Sequence, residues 1–140
     1  MVRLLCISPE SIDSVWNKAE HFIAKVVKKE KPQFYSADDI KELCKKQLEV
    51  LWLIIDEKNK KCAGIMVTKI VSYPKGKQLV VHLAGADNTV KMAGWRRNYK
   101  QLKDYARSSG CMCMTVYGRS GWAKISSSIK RAGFILNEEV

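Results

Sequence analysis

The spacing of apolar positions changes repeatedly along this chain, and each change marks an element. Arg3 to Ile7 reads as a short strand. Ser8-Pro9-Glu10 is a helix start, with a serine cap, proline at the first helical position and an acid in the first turn. Ile12, Val15, Trp16, Ala19, Phe22, Ile23, Val26 and Val27 follow at steps of three and four, which makes one apolar helical stripe. Lys28-Lys29-Glu30-Lys31 ends that helix, with cations near the negative end of its dipole, and Pro32 prevents continuation. Ser36-Ala37-Asp38-Asp39 opens a second helix, Ser36 capping and Asp39 three residues later. Its apolar side is Ile40, Leu43, Cys44 and Leu48.

From Val50 the period shortens. Leu51 to Asp56 is nearly unbroken apolar sequence, as expected of a strand covered on both faces. Cys62 to Tyr73 and Lys77 to Ala84 are two more strands, joined by Glu57-Lys58-Asn59-Lys60-Lys61 and Pro74-Lys75-Gly76. Such short turns predict an antiparallel meander. A small polar turn follows, in which Asp87 or Asn88 is placed to cap the next helix. Met92, Trp95, Tyr99, Leu102 and Ala106 form that helix's stripe, and Gly110 stops it. Gly94 inside it either weakens the helix by about 1 kcal/mol against alanine or permits close packing. Cys111 to Tyr117 reads as a central strand, with Cys111, Cys113 and Thr115 on one face and Met112, Met114 and Val116 on the other. A last helix is predicted from about Gly121 to Ala132, with Ile125 and Ile129 inward, and a final strand at Phe134-Ile135-Leu136. The order is β-α-α-β-β-β-α-β-α-β in a single α/β (α+β) domain, without repeat, linker or low-complexity tract.

Composition narrows the partners. No apolar run approaches the ~20 residues that cross a bilayer, so no membrane partner is expected. The five cysteines are odd in number and form no C-x-x-C pair, which predicts reduced thiols in a cytoplasmic setting. With two histidines, neither at ligand spacing from a cysteine pair, no metal is expected. The net charge of +11 predicts either attraction to an anionic partner or a solvated lysine-rich surface.

Certain stretches are more specific: Leu51-Trp52, Val67-Thr68-Lys69-Ile70-Val71 with Tyr73-Pro74, Tyr105-Ala106-Arg107 with Gly110-Cys111, and above all Gly118-Arg119-Ser120-Gly121-Trp122. With the element order and the Gly133-Phe134 stop, the chain resembles the GNAT acyltransferases over essentially its whole length. It is most similar to small GNAT-like proteins encoded by bacteriophages. The resemblance implies a central mixed, mostly antiparallel sheet whose fourth strand splays from the fifth. It implies that acetyl-CoA is the cosubstrate and lies in that gap, its pantetheine arm along the exposed strand edge. The pyrophosphate is expected on the turn before the third long helix, held by backbone N–H groups. In this chain that turn is Leu83-Ala84-Gly85-Ala86-Asp87-Asn88-Thr89. It departs from the family's Gln/Arg-x-x-Gly-x-Gly/Ala in having one glycine, no Gln or Arg at its start, and the negative Asp87.

Acyl transfer to an amine needs a base for the amine and a proton donor for the departing thiolate. Family members often place a carboxylate or water on the fourth strand and a tyrosine on the last helix; that helix has no tyrosine here. On the fourth strand Leu79, Val81 and Leu83 share one face and Val80, His82 and Ala84 the other. His82 is the candidate base, since imidazole changes charge near neutral pH, or it is a hydrogen-bonded strand histidine. Tyr117 is the candidate acid, or a packing tyrosine. Arg119 has three roles open: a CoA phosphate, an anionic partner, or its own tight turn. Trp122 covers the core edge or offers a stacking surface. Arg96, Lys100, Lys103 and Arg107 recur at steps of four, three and four, a cationic stripe about 100° round the helix from the apolar one.

Three functions follow from these features. The first is an acyl-CoA-dependent N-acyltransferase. The second is a GNAT scaffold binding a phage or host protein, virion-associated or free in the host cytoplasm. The third is nonspecific nucleic-acid binding through the basic face. Either a monomer or a homodimer through exposed strand edges is compatible with the sequence.

Overall fold

The computed structural model describes residues 1–30, 33–117, 122, 124–130, 138 and 140. Strand β1 (Val2–Ile7) leads through a 3-10 turn, Pro9–Ser11, into helix α1 (Ile12–Lys28). Helix α2 (Ala37–Lys45) precedes the meander of β2 (Val50–Asp56), β3 (Lys61–Tyr73) and β4 (Gly76–Ala86). Helix α3 (Met92–Ser108) then returns the chain to β5 (Cys111–Val116). One sheet has the order β1-β2-β3-β4-β5. The first four strands pair antiparallel and β4–β5 is parallel. The mixed α+β architecture and the meander are as the sequence predicts.

Helices α1 and α2 cover one face and α3 the other, so the sheet separates two cores. Trp16, Ile23 and Ile40 pack with Leu51, Leu53, Ile65 and Val67 on the first side. Trp52, Ile54, Met66 and Leu79 pack with Leu102 and Ala106 on the second. That is why β2 is apolar at consecutive positions. The α1 stripe is buried at Ile12, Trp16, Ala19, Phe22, Ile23 and Val27, as its spacing requires. Ser36 and Asp39 form a complete capping box, each side chain bonding the other's backbone N–H. Gly94 permits close packing: a methyl there would stand 2.6 Å from Val2 Cγ2 on β1.

Local bulges overturn several face and boundary expectations. β3 pairs Val67 with Leu83 but Thr68 with Val81, so His82 is an extra residue in β4. A bulge interrupts alternation. Leu83 therefore joins the α1–α2 core while Leu79 and Val81 stay in the α3 core, instead of all three sharing a face. Met112 is likewise skipped between Lys77↔Cys111 and Gln78↔Cys113. Cys111 consequently packs with Met114 and Val116, not with Cys113 and Thr115. Among the described residues β5 is the last strand of the sheet; the predicted strand 134–136 lies outside them.

The α3 stripe is also shifted. Its most buried position is Asn98, while Met92 is 41% exposed. Leu48 lies beyond the end of α2 and is exposed. Of the predicted last helix, residues 124–130 form turns rather than α-helix. The three serines Ser126–Ser128 explain this, because serine side chains compete for the backbone. Ser126 Oγ accepts the Ser128 N–H at 3.3 Å. Ile125 is buried as expected.

Candidate active site

The site begins where two parallel strands part. Among the described residues β4 and β5 are paired from Lys77↔Cys111 to Val81↔Val116 and no further. β4 continues to Ala86 along β3, so the backbone of 82–86 facing away from β3 has no strand partner among the described residues. A cleft of about 540 Å³ occupies the divergence. Its floor is Val81 to Asp87, and Val116, Tyr117 and Trp122 form one wall. The other wall is α1, with His21, Phe22, Lys25 and Val26, and Lys29 and Glu30 just beyond its end. Glycine at position 85 lets α1 come this close, since a methyl there would meet Val26 Cγ2 at 2.7 Å.

His82, the bulged residue, lines this cleft together with Tyr117. The two predicted catalytic residues are thus brought to one site. Tyr117 follows the last residue of β5 and is 53% exposed. The His82 side chain is largely buried, and its Nδ1 lies 2.6 Å from Glu49 Oε1. The Tyr35 ring meets the imidazole edge-on at 5.0 Å.

Sequence reading missed Glu49. It lies in the α2–β2 turn, where Gln47 adopts a left-handed backbone (φ 63°) and the N–H groups of Leu48 and Glu49 both return to the Leu43 carbonyl. That reversal feeds β2. Val50 pairs with Thr68 and Thr68 with Val81. Glu49 and His82 therefore flank a common row across three strands. The Glu49 side chain is 4% exposed, and its Oε2 has no hydrogen-bond partner among the described residues. Burial, aided by the Glu49 charge, pushes the nearby Cys44 thiol up to about 12, so it is inert. The only advance signal was an acid, Glu49, immediately before a continuous apolar strand.

The expected pyrophosphate turn is shorter than predicted. Leu83 to Ala86 belong to β4, because pairing with β3 runs to Gly64↔Ala86. Neither Asp87 nor Asn88 caps α3: Lys91 is the N-cap residue, without a side-chain hydrogen bond. Asp87 instead accepts the Thr89 N–H at 2.8 Å. Bonding from the Thr89 hydroxyl and N–H, helped by Lys61, holds its carboxyl below the usual carboxylate range. Asp87 thus presents a negative charge at the cleft, while Asn88 and Thr89 do not line it.

No protein-family model and no curated protein matches the sequence. Solved structures do match the fold. The chain is similar to a probable acetyltransferase with a TM-score of 0.71 at 12% identity, over 98% of this chain and 99% of that one. An aminoglycoside acetyltransferase from an uncultured soil metagenomic sample, in complex with trehalose, gives a TM-score of 0.74 at 6% identity over 99% and 96% of the two chains. Glucosamine-6-phosphate N-acetyltransferase from Arabidopsis thaliana gives 0.67 at 12% identity over 99% and 98%. The chain has the GNAT fold.

On this GNAT sheet the remaining predicted contacts are dispersed. Trp122 packs against the α3-side core, its ring 5.7 Å from that of Trp95, and so covers the core edge. Arg96, Lys100 and Arg107 are exposed on α3, and Arg107 approaches Asp104 at 3.6 Å. Lys103 is half-buried. Arg119 and the rest of 118–121 lie outside the described residues, as does the Gly133-Phe134 stop. Among the described residues no helix is long and apolar enough to cross a membrane.

Proposed function

We propose that this protein is an N-acyltransferase that moves an acyl group from acetyl-CoA to an amine, in the cytoplasm of a bacterial host carrying it as a phage or prophage protein. The observation that carries the reading is the splay of β4 from β5, with His82 and Tyr117 on the cleft it opens. Its phage assignment rests on the motif around Gly118-Arg119 and Gly121-Trp122.

The free edge of β4 fits an amide-bearing pantetheine arm, because an exposed strand edge offers N–H and C=O groups in register. The fit at the pyrophosphate end is poorer. Asp87 opposes an anion, whereas Lys25 and Lys29 on the facing wall attract one. Acetyl-CoA supplies a thioester whose carbonyl carbon accepts the amine. His82 takes a proton from the amine nitrogen as the C–N bond forms. The C–S bond breaks, and the Tyr117 phenol gives its proton to the departing sulfur. Exchange with solvent returns the proton from imidazolium to phenolate.

The test is calorimetric titration with acetyl-CoA, paired with thermal shift. Binding at a free ligand concentration 100 times Kd stabilises the fold by about 2.7 kcal/mol. Absence of heat and of stabilisation at millimolar acetyl-CoA removes the acyltransferase reading. It would leave the second reading, a protein-binding GNAT scaffold, which Asp87 at the cleft favours.

A further inference from the structure

We infer that Glu49 is the positioning residue for His82: it fixes the imidazole as the Nδ1–H tautomer and so leaves Nε2 as the atom that takes the amine proton. The inference rests on the acyltransferase reading of the same cleft and adds the residue that sets the base.

An ionised carboxylate only accepts hydrogen bonds. With Glu49 ionised, His82 Nδ1, 2.6 Å from its Oε1, carries the hydrogen between them. The second ring nitrogen is then the basic one, and His82 lines the cleft. The pairing is needed from the carboxylate's side as well. Glu49 is almost completely buried and, among the described residues, Oε2 has no partner and the His82 N–H is the one hydrogen bond its side chain receives. A buried charge without such a partner is strongly disfavoured. The Tyr35 ring packs T-shaped with the imidazole at 5.0 Å and constrains it from a further side. The other titratable groups around this pair are Tyr35 against the ring, Cys44 near Glu49 and, lining the cleft, His21, Lys25, Lys29, Glu30, Asp87 and Tyr117. Among the described residues none of these hydrogen-bonds to the pair, so the tautomer is set by Glu49.

The same arrangement orients a histidine in many hydrolytic triads, where the carboxylate does not itself touch substrate. Here the carboxylate comes from the α2–β2 turn and the histidine from a bulge two strands away. Neither is placed by the apolar pattern of its own element.

The experiment compares wild type, Glu49→Gln and Glu49→Leu. Nitrogen NMR of the imidazoles is readable because the protein has two histidines. Wild-type His82 is expected to show a protonated Nδ1 and a bare Nε2 in its neutral form. Glu49→Gln keeps an acceptor and should keep that tautomer. Glu49→Leu should lose it. In turnover, Glu49→Leu should lower kcat by about tenfold or more, part of what a general base contributes, while acetyl-CoA affinity stays at the wild-type value. Glu49→Gln should recover part of that loss. A protonated Nε2 with bare Nδ1 in wild type overturns the inference, and so does wild-type kcat in Glu49→Leu. If Glu49→Leu fails to fold, the wild-type tautomer and the Glu49→Gln turnover still decide. If wild type fails to bind acetyl-CoA, the acyltransferase reading falls first and takes this inference with it; binding and turnover with the wrong tautomer sink the inference alone.

Discussion

Replacing His82 by alanine is expected to cut turnover with acetyl-CoA and an amine by about 10²- to 10⁴-fold, the usual contribution of a positioned base. Acetyl-CoA affinity should change little, because the edge proposed to hold the pantetheine arm is backbone from 82 to 86 and survives the substitution. The fold should survive as well, since the imidazole is not part of either apolar core. One cost is foreseeable: Glu49 would be left buried without its hydrogen bond. A water in the vacated volume would have to take over that bond. Stability should therefore be compared alongside steady-state kinetics. Undiminished turnover in a folded, ligand-binding His82→Ala would show that the amine proton leaves by another route.

Replacing Trp52 by alanine should destabilise the protein by about 3–5 kcal/mol, as for large aromatic truncations in cores. That is a large share of the 5–15 kcal/mol typical of a whole domain. Trp52 is 7% exposed and sits where β2 meets α3. It packs edge-on against Tyr105 at 4.9 Å, and its Nε1–H donates to Thr68 Oγ1 at 2.9 Å. Thr68 is fully buried, so the truncation also leaves its hydroxyl without that partner. Trp52→Phe should cost less, because it keeps most of the ring contact and loses the hydrogen bond. Urea unfolding of the three proteins measures the series. A Trp52→Ala loss below 1 kcal/mol would mean that the α3 face is far more loosely packed than the structure has it.

What the sequence made legible were the parts governed by local spacing. The stripe of α1, the Ser36–Asp39 box, the doubly covered β2 and the Gly110 stop all follow from rules spanning a few residues. With these came the order of elements as far as β5, while the splay between β4 and β5 was implied by the family resemblance. Illegible were the features that depend on pairing between strands. A bulge at His82 changes which side chains share a face, yet nothing in Leu79 to Ala84 announces it. The partnership of Glu49 with His82 spans 33 residues and exists only because two turns and a bulge converge. Asn98 breaks the apolar stripe of α3 at its centre, where an apolar residue would be expected. The turn before α3 starts later than expected because Gly85 and Ala86 read as turn formers, whereas pairing with Ile65 and Gly64 extends β4 through them. Gly64 is what allows that contact: a methyl there would meet the Gly85 carbonyl oxygen at 2.5 Å.

Amide hydrogen exchange with and without acetyl-CoA tests the shared core of these claims, that the parting of β4 from β5 is where the acyl donor lies. The account predicts new protection concentrated in 82–86, at the amides that face the gap, with the paired stretch 77–81 little changed. Binding that instead leaves 82–86 exchanging as before, and protects only the exposed basic face of α3, would contradict it.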